Sequence, residues 1–567
     1  MTEISDAAKK VPMMFRAQTD GRCQLQRITR NDESDVERWT DEWIDRAHPV
    51  PQAATQTDRP KNVRTKTYTL SWRFVTNGGQ DDGIIRPVIG AFGLPYYPGS
   101  SMKGVFRRVC TPEQADRYCG KKLSGGDFEP GLLRFHGGYP TDDRWQEGLV
   151  DIVHPQQDWQ VKSDRKKGGA FALISLYKPT LRFGISSTKP EQTDWTEVWE
   201  LWEQAIERGL GCRVCAGYGQ PNELQGQQLY RCYLKGQGAA PKLLDGEGEF
   251  RPNLFRASIR GHALRIFGGL CEADKADELV QTLFGGVKGS GTVGLLAMNF
   301  RDTHLQINEY GDRSYAVPAY QVEGQLNWLL TRELPPLQHE ALTKLLKNLT
   351  RFAMLLGGFG KSWRRVDHRI FYPEYYEGTR SKALIGCHWQ WTGVSLLNDS
   401  RVRKLDRVTP FIDETRETAR AWMQLQGVRA TNRYATQWRE AWHPDKVAVW
   451  GRLAEDDEDS EAIAWFHGPY RRAIREARIP KGSIYKTSVT GEVSREVSLV
   501  GRLWHRMFPV VRLVRNPDNP NRPQPKKTRQ FLELLTFFPN GTRESDAFLE
   551  FLESEPRGFQ RLWGDDL

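Results

Sequence analysis

Apolar and polar residues alternate along the segment 67–74, which gives the first clear structural signal in the chain. Every second side chain of this segment is apolar or aromatic, beginning with Tyr68 and ending with Phe74. A period of two predicts a strand with one buried face. Around residues 195–206 and 342–356 the apolar residues recur at helical spacing instead, which predicts two amphipathic helices that pack on a core.

An internal repeat is the most informative pattern, because three different segments recur in the same order. The matched pairs are GSSMKGVFRR (99–108) with RASIRGHALR (256–265), YCGKKLSGG…PGLLRF (118–135) with LFGGVKGSGTVGLLAM (283–298), and AGYGQ (216–220) with GGFGK (357–361). Each glycine-rich member of the last pair follows one of the amphipathic helices. The repeat therefore predicts two domains of one fold.

Within each copy the predicted order is strand, helix, strands, helix, glycine loop and strand. This is the order of a ferredoxin-like βαββαβ unit, an antiparallel sheet backed by two helices. We therefore predict an α+β protein with two tandem ferredoxin-like (RRM-like) domains. Segments 500–514 and 529–539 are expected to return to the sheet of the second domain. The predicted divisions are an amino-terminal extension at 1–62, a first domain at 63–235, and a second domain at 236–567 with a large insertion at about 370–495.

The composition of the chain is compatible with nucleic-acid binding and argues against a secreted or membrane protein. The 567 residues include 81 Lys and Arg against 71 Asp and Glu, a formal net charge of +10 that is compatible with nucleic-acid binding. The amino terminus lacks the apolar stretch of a signal peptide, and no run approaches a membrane span, so no membrane partner is expected. The eight cysteines form no closely spaced framework, which favours reduced thiols and a cytoplasmic protein. Buried thiols are the simpler interpretation of the pair Cys212 and Cys215.

The segment after Pro98 predicts a helix that starts close to several basic residues. A helix start offers unpaired amide groups and the positive end of the helix dipole, and a serine at 100 or 101 would cap it. A glycine in the first turns allows another backbone to approach, so the segment has the features of a phosphate-binding corner. The candidate RNA-binding residues are Ser100, Ser101, Lys103, Gly104, Arg107 and Arg108, with Ser258, Arg260, Gly261 and Arg265 in the second copy.

The two glycine loops and one basic loop add further candidates. Glycine lets a backbone approach phosphates, and an aromatic ring beside it can stack on a base. Neither glycine loop has the spacing of a Walker or dinucleotide-binding motif, so no nucleotide cofactor is expected. The candidates are Gly217, Tyr218 and Gly219 in the first loop, Gly358, Phe359, Gly360, Lys361, Arg364 and Arg365 in the second, and Lys166 and Lys167 in the basic loop at 162–169.

GLPYYPGSSMKGVFRR at 93–108 resembles the family signature of the Repeat-Associated Mysterious Proteins (RAMPs), the CRISPR superfamily built on ferredoxin-like folds. GYGQ and GGFGK resemble the carboxy-terminal glycine-rich loops of that family. The segments 132–155 and 498–509 are similar to Cmr-type members. The likeness covers about 64–300, the loop near 360 and part of the tail. A chain with two such units is similar to the tandem Cas-seven-type fusion subunits of type III-D effectors.

This resemblance implies binding of crRNA along a filament of other type III CRISPR effector subunits, with complementary target RNA paired to the guide. In active members an aspartate cleaves the target with a divalent metal, usually two residues before a proline that precedes the signature. That proline is Pro87 here, and the expected position holds Ile85. The candidate catalytic residues are therefore Asp81, Asp82 and Asp245, with Asp82 and Asp245 as ligands of Mg²⁺ or Mn²⁺.

Two other functions remain open at this stage. His136 and His154 provide an acid/base pair like that of RAMP-family guide-processing nucleases, which would make the chain a stand-alone endoribonuclease that acts without metal. A RAMP-like protein that mediates assembly and touches little RNA is the third possibility.

Overall fold

The computed structural model is an α+β protein, 35% helical and 31% strand, as predicted. Eleven of the described strands form three antiparallel sheets, each accompanied by helices, and four short strands of the first unit form a further sheet with one parallel pair. No helix in the described part of the chain is both long and apolar enough to cross a membrane. The structure describes residues 40–41, 43–44, 62–76, 78–81, 84–90, 93–153, 158–163, 171–223, 228–243, 246–286, 292–312, 315–377, 382–431, 436–470, 482–493, 498–517, 519 and 523–565.

The first unit, residues 63–221, is built around a sheet with the strand order β1-β11-β7. Its helices α1 and α4 pack on one face of this sheet through Phe106, Phe183 and Trp202. Its elements are β1 (Val63–Thr69), β2 (Arg73–Phe74), β3 (Gly79–Asp81), β4 (Ile84–Arg86), α1 (Gly99–Arg107), α2 (Pro112–Cys119), β5 (Gly120–Lys122), β6 (Phe128–Pro130), β7 (Leu133–Pro140), β8 (Val150–Val153), α3 (Asp158–Lys162), β9 (Phe171–Ile174), β10 (Leu176–Tyr177), β11 (Thr180–Ser187) and α4 (Trp195–Glu207).

The predicted strand at 67–74 is interrupted in the structure. β1 ends at Thr69, and β2 pairs with β10 instead of continuing the main sheet. Leu70 forms a single antiparallel bridge with Pro221, directly after the first glycine loop. Among the described residues, this one bridge is therefore all that stands in place of a fourth strand beside β1.

The second unit, residues 228–391, has a four-stranded antiparallel sheet in the order β13-β14-β12-β15. The predicted boundary between residues 235 and 236 lies inside β12. Helices follow the first and third strands of the sheet, and α10 packs against α7. The elements up to α10 are β12 (Gln228–Ala239), α5 (Asn253–Gly268), α6 (Ala273–Phe284), β13 (Leu296–Tyr310), β14 (Val317–Leu330), α7 (Pro336–Leu355), α8 (His368–Phe371), β15 (Cys387–Trp391), α9 (Gly393–Asn398) and α10 (Val408–Leu425).

The third unit, residues 448–563, has its own sheet, in the order β19-β20-β16-β21. The segments expected at 500–514 and 529–539 to rejoin the second sheet form β19 and β20 here; β19 pairs with β20, and β20 pairs with β16, so that prediction is wrong. The predicted insertion at 370–495 instead contains the end of the second unit and the start of the third. The elements of the third unit are β16 (Ala448–Ala454), α11 (Glu461–His467), β17 (Gly491–Val493), β18 (Ser498–Val500), β19 (Leu503–Val514), β20 (Gln524–Phe537), α12 (Arg543–Glu553) and β21 (Gln560–Trp563).

Both faces of the third sheet are covered along most of β19. Residues 503–511 of β19 are all buried, because alternate side chains point to opposite layers. Leu503 packs with the helices of the third unit, and Trp504 packs with Trp442 against the second unit. The second and third units consequently share one hydrophobic core.

Candidate nucleic-acid interface

The amino-terminal turn of α1 is anchored tightly against the first sheet. Pro98 has an extended conformation, and its carbonyl oxygen accepts from the amide of Met102 at 2.9 Å. A Cβ atom on Gly99 would lie 2.0 Å from the carbonyl oxygen of Phe135, so only glycine permits this close approach. Met102, Val105 and Phe106 are buried. The remaining side chains of the helix therefore face outward.

The outward face of α1 carries exposed positive charge. Lys103, Arg107 and Arg108 are exposed, and within the described residues none of them has a carboxylate at ion-pair distance. Arg107 donates to the carbonyl oxygen of Gly120 at 3.2 Å. A Cβ atom on Gly104 would meet nothing within 4 Å, so a ligand can approach the helix there. This face has the charge and the access that an RNA backbone requires.

The predicted serine cap of α1 is wrong. The helix begins at Gly99 with Pro98 as the capping residue, and no side chain provides a cap hydrogen bond. Ser100 and Ser101 lie inside the first turn, where Ser100 is exposed and Ser101 is half-buried. The serines therefore place hydroxyl groups on the helix surface without fixing its start.

The matching segment of the second copy is buried. Ser258 donates to the carbonyl oxygen of Gly358 at 2.8 Å, and Arg260 forms an ion pair with Asp158. Arg265 and Gly261 are buried as well. α5 begins at Asn253, so the segment lies in the second and later turns, between the first and third units. Its burial leaves these side chains no surface on which they could meet RNA.

The first glycine loop serves internal packing. The hydroxyl of Tyr218 donates to the Asp151 carboxylate at 2.9 Å, and its ring lies 4.6 Å from that of Trp72. Burial and the charge of Asp151 raise the pKa of Tyr218. Gly219 has a φ of +64°, and a Cβ atom there would lie 1.9 Å from the carbonyl oxygen of Leu210. Gly217 is buried too, so the loop does not offer Tyr218 for stacking on a base.

The second glycine loop is also buried, except at its end. Phe359 packs between Phe255 and Trp389, and a Cβ atom on Gly358 would collide with the guanidinium group of Arg506. Gly360 has a φ of +101° and is half-buried. The stacking predicted for Phe359 is therefore not supported.

Among the basic residues at the end of this loop and after it, some are held by other parts of the chain and one is exposed. Arg364 donates to Glu440 at 2.6 Å. Arg365 donates to the carbonyl oxygen of Thr490 at 3.1 Å, and burial together with Arg364 lowers the pKa of Arg365 to about 9. Lys361 is exposed. Of these three side chains, Lys361 is thus the one available to an RNA.

Buried ion clusters connect the three units. Between the first and second units Arg73 donates to Glu249 at 2.8 Å, and Arg251 contacts both Glu249 and Asp151 at 3.0 Å. Two positive charges thus balance two negative ones. Glu249, close to the predicted carboxylate loop of the second copy, is held by arginines and is not free to bind a metal ion.

Between the second and third units a single carboxylate, Glu440, is surrounded by arginines. Arg265 donates to it at 2.8 Å, and Arg364 and Arg439 lie within 3.4 Å. Burial alone would raise the pKa of Glu440, but the charges of Arg364, Arg265 and Arg439 outweigh burial and lower it to about 2. The carboxylate is therefore ionised throughout the neutral range.

A basic cleft of about 670 Å³ lies between β12, α7 and the segment around the end of α9, and Leu513 of the third unit is one of its lining residues. Five basic side chains and one carboxylate line it, which leaves four positive charges in excess. These residues lie on β12, on α7 and in the segment after α9, and they belong to no single motif. Sequence patterns therefore did not reveal them. The charged residues of this cleft are Arg231, Lys347, Arg351, Asp399, Arg401 and Arg403.

Three of these arginines gather at the carboxy-terminal end of α9. Arg403 donates to the carbonyl oxygen of Leu397 at 3.2 Å, and Arg401 to that of Asn398 at 3.4 Å. Arg351 donates to Asp399 at 2.9 Å. The free carbonyl groups at a helix end attract cations, which explains why the arginines collect here.

No protein-family model matches this chain, and no curated protein matches its sequence. Among solved structures it is similar to a chain of the Type III-B Cmr-beta complex bound to cognate target RNA, with 15% identity and a TM-score of 0.26 over 38% of this chain and 91% of that one. It is also similar to a chain of the Cmr-beta complex bound to cognate target RNA and AMPPnP in the presence of ssDNA. That comparison gives 10% identity and a TM-score of 0.27 over 58% of this chain and 99% of the other.

The predicted catalytic carboxylates fall largely outside the described residues. Asp82 and Asp245 lie there, as do Lys166, Lys167 and His154. Asp81 is the last residue of β3. Among the described residues no group of three or more His, Cys, Asp or Glu side chains is arranged to hold a metal ion. The expected roles of Asp81, Asp82 and Asp245 stay predictions.

Proposed function

We propose that this chain binds guide RNA (crRNA) as a backbone subunit of a type III CRISPR effector complex, with complementary target RNA paired to the guide. The observation that carries the proposal is the exposed basic face of α1. It lies on the segment that resembles the RAMP signature. Other effector subunits are its proposed protein partners.

The proposal includes a specific architecture, in which the units are ferredoxin-like RAMP domains. In the second and third units the order of strands across the sheet is second, third, first and fourth, with helices after the first and third strands. The first unit has the same order for its first three strands. The third unit is thus a proposed further copy, in addition to the two that the repeat predicts.

In this function α1 contacts the guide backbone through charge. Lys103, Arg107 and Arg108 neutralise phosphates, and Gly104 leaves room for the strand to approach the helix. Contacts of this kind depend on salt but not on base sequence, because released counterions supply much of the free energy. A subunit that must accept guides of any sequence needs contacts of this type.

The basic cleft is a proposed second contact, and Lys347 tests it. Replacing Lys347 with Glu should weaken binding of single-stranded RNA by about tenfold at moderate salt, because one phosphate partner is replaced by a repelling charge. Fluorescence anisotropy with a labelled oligonucleotide measures the change.

The matched control is Lys344→Glu, one turn away on α7, where Lys344 is exposed and pairs with Glu340 at 2.7 Å. It makes the same change in charge outside the cleft, and we expect an affinity within about twofold of the unchanged chain. Equal losses in both variants would show that the cleft has no special role.

Target cleavage is the proposed enzymatic activity, and it is tested on the purified effector complex. The complex should retain guide RNA and cut complementary target at regular intervals with Mg²⁺ or Mn²⁺. When bound, a divalent ion supplies charge neutralisation at the scissile phosphate. Asp82→Ala and Asp245→Ala should each remove particular cuts, and the double variant should remove both sets while guide RNA is retained. Asp81→Ala is the neighbouring variant for comparison.

The outcomes of this assay separate the functions. Cutting that is unchanged in all four variants removes these aspartates from the mechanism. Cleavage of precursor guide RNA by the isolated chain in EDTA would favour the stand-alone endoribonuclease. A complex that assembles without RNA would contradict the binding function.

A further inference from the structure

The first sheet has an outward face that its own helices do not cover. α1 and α4 pack on the opposite side, so alternate residues of β1, β7 and β11 point away from them. Tyr139 is paired with Arg182, and Arg182 with Thr67, which places these three side chains in one row across the sheet. All three are exposed.

A second tyrosine extends this row beyond the sheet edge. Tyr97 forms a bridge with Gly138, and the neighbouring Tyr96 therefore lies beside Tyr139. The two tyrosine rings are stacked, with centroids 5.3 Å apart and planes at 9°. The side chain of Tyr139 is nevertheless 42% exposed. The pair presents an aromatic surface of the kind on which a planar group stacks.

Polar groups lie near the tyrosines on the same face. Gly137 and Gly184 are cross-strand neighbours and are both buried, and beyond them the exposed Arg134 is paired with Ser186 in the sheet. The Nε2 atom of the exposed His136 lies 2.7 Å from the hydroxyl of Ser186. Hydrogen-bonding and positively charged groups thus share this face with the aromatic pair.

The charge of this face distinguishes it from the main sheets of the second and third units. Neither β1, β7 nor β11 contains an aspartate or a glutamate. The nearest carboxylate after β7, Asp142, is paired with Arg144 at 2.7 Å. The corresponding face of the second sheet carries Glu323 opposite Lys235, and in the third sheet residues 503–511 of β19 are buried on both faces.

We propose that this face of the first sheet binds unpaired bases of single-stranded RNA, with Tyr139 as the stacking platform. The inference rests on the proposed function, since it takes RNA as the ligand, but it adds a site that contacts bases instead of phosphates. Aromatic rings on an open sheet stack on bases that are not enclosed in a duplex. Arg134 and Arg182 are placed to hold the adjoining phosphates, and Ser186 and His136 to contact base edges or 2′-hydroxyl groups.

The test compares a uridine oligonucleotide with an abasic oligonucleotide of the same length, both binding to the full-length chain. Tyr139→Ala should bind the uridine oligonucleotide about tenfold more weakly, because one stacking contact is lost. Its affinity for the abasic oligonucleotide should not change. Tyr139→Phe keeps the ring and should restore binding, and Tyr315→Ala removes an exposed tyrosine elsewhere and should have no effect.

A second measurement uses the unaltered chain, so it does not depend on how a variant folds. Photocrosslinking to 5-iodouridine RNA should label peptides that contain Tyr96 or Tyr139. Crosslinks confined to other regions, or a Tyr139→Ala chain that loses affinity equally for both oligonucleotides, would overturn the inference and leave the proposed function in place. A chain that binds neither oligonucleotide would overturn both.

Discussion

Reversing the three exposed charges of α1 should weaken RNA binding by about a hundredfold near physiological salt. The triple variant Lys103→Glu, Arg107→Glu and Arg108→Glu loses up to three phosphate contacts and adds three repelling charges. The dependence of affinity on salt should also become shallower, by roughly 0.7 in the logarithmic slope for each lost contact with a single strand. Binding titrations at several salt concentrations measure both quantities.

A control for net charge is available on other helices and loops. Lys189, Lys275 and Lys344 are exposed and lie away from α1, and Lys275 and Lys344 have acidic partners on their own helices. Reversing these three changes the total charge by the same amount. If the two triple variants lose affinity equally, or if the salt slope of the α1 variant stays the same, α1 is not a phosphate contact and the assembly-only function becomes the better explanation.

Replacing Glu440 with Gln should lower the free energy of unfolding by about 3–5 kcal/mol, the range for breaking a buried ion pair from one side. The change leaves Arg265, Arg364 and Arg439 close together without a balancing charge. Chemical denaturation followed by tryptophan fluorescence measures the loss. Glu417→Gln, which removes an exposed partner of Arg420, is the matched control and should cost less than about 1 kcal/mol.

The same cluster makes stability depend on pH in a defined direction. The pKa of Glu440 is about 2 in the folded chain, below its ordinary value of 4.5. Its ionised form therefore stabilises the fold fully above pH 4.5, and this contribution is lost as the pH falls towards 2. The Glu440→Gln variant lacks this contribution, so its stability should change less over that range. An equal acid sensitivity in both chains would contradict the assignment.

The sequence was informative where a structural element or a candidate site depends on residues that are close together in the chain. The face of α1 could be predicted because its basic residues and its start lie within ten positions of each other. The same motif in the second copy was predicted to face RNA, but it is buried. Sequence similarity does not show that α5 starts earlier and packs between two units. Ser258 and Arg265 match Ser101 and Arg108 in spacing but not in environment.

The third unit escaped prediction for a different reason. Segments 500–514 and 529–539 were expected to enter a sheet, but neither segment indicates that the sheet contains β16 and not β12. The cleft was equally hidden, since Arg231, Lys347 and Arg403 are far apart in the chain and meet only when β12, α7 and the segment after α9 pack together. Patterns within one segment carry no signal for such a site.

The shared core of the second and third units determines how these units can move. Trp504 and Phe508 of the third unit and Leu234 of the second belong to the same continuous interior. Close-packed interiors do not stretch, so the two units cannot swing apart like hinged domains without opening that interior. We therefore expect them to move as one rigid body.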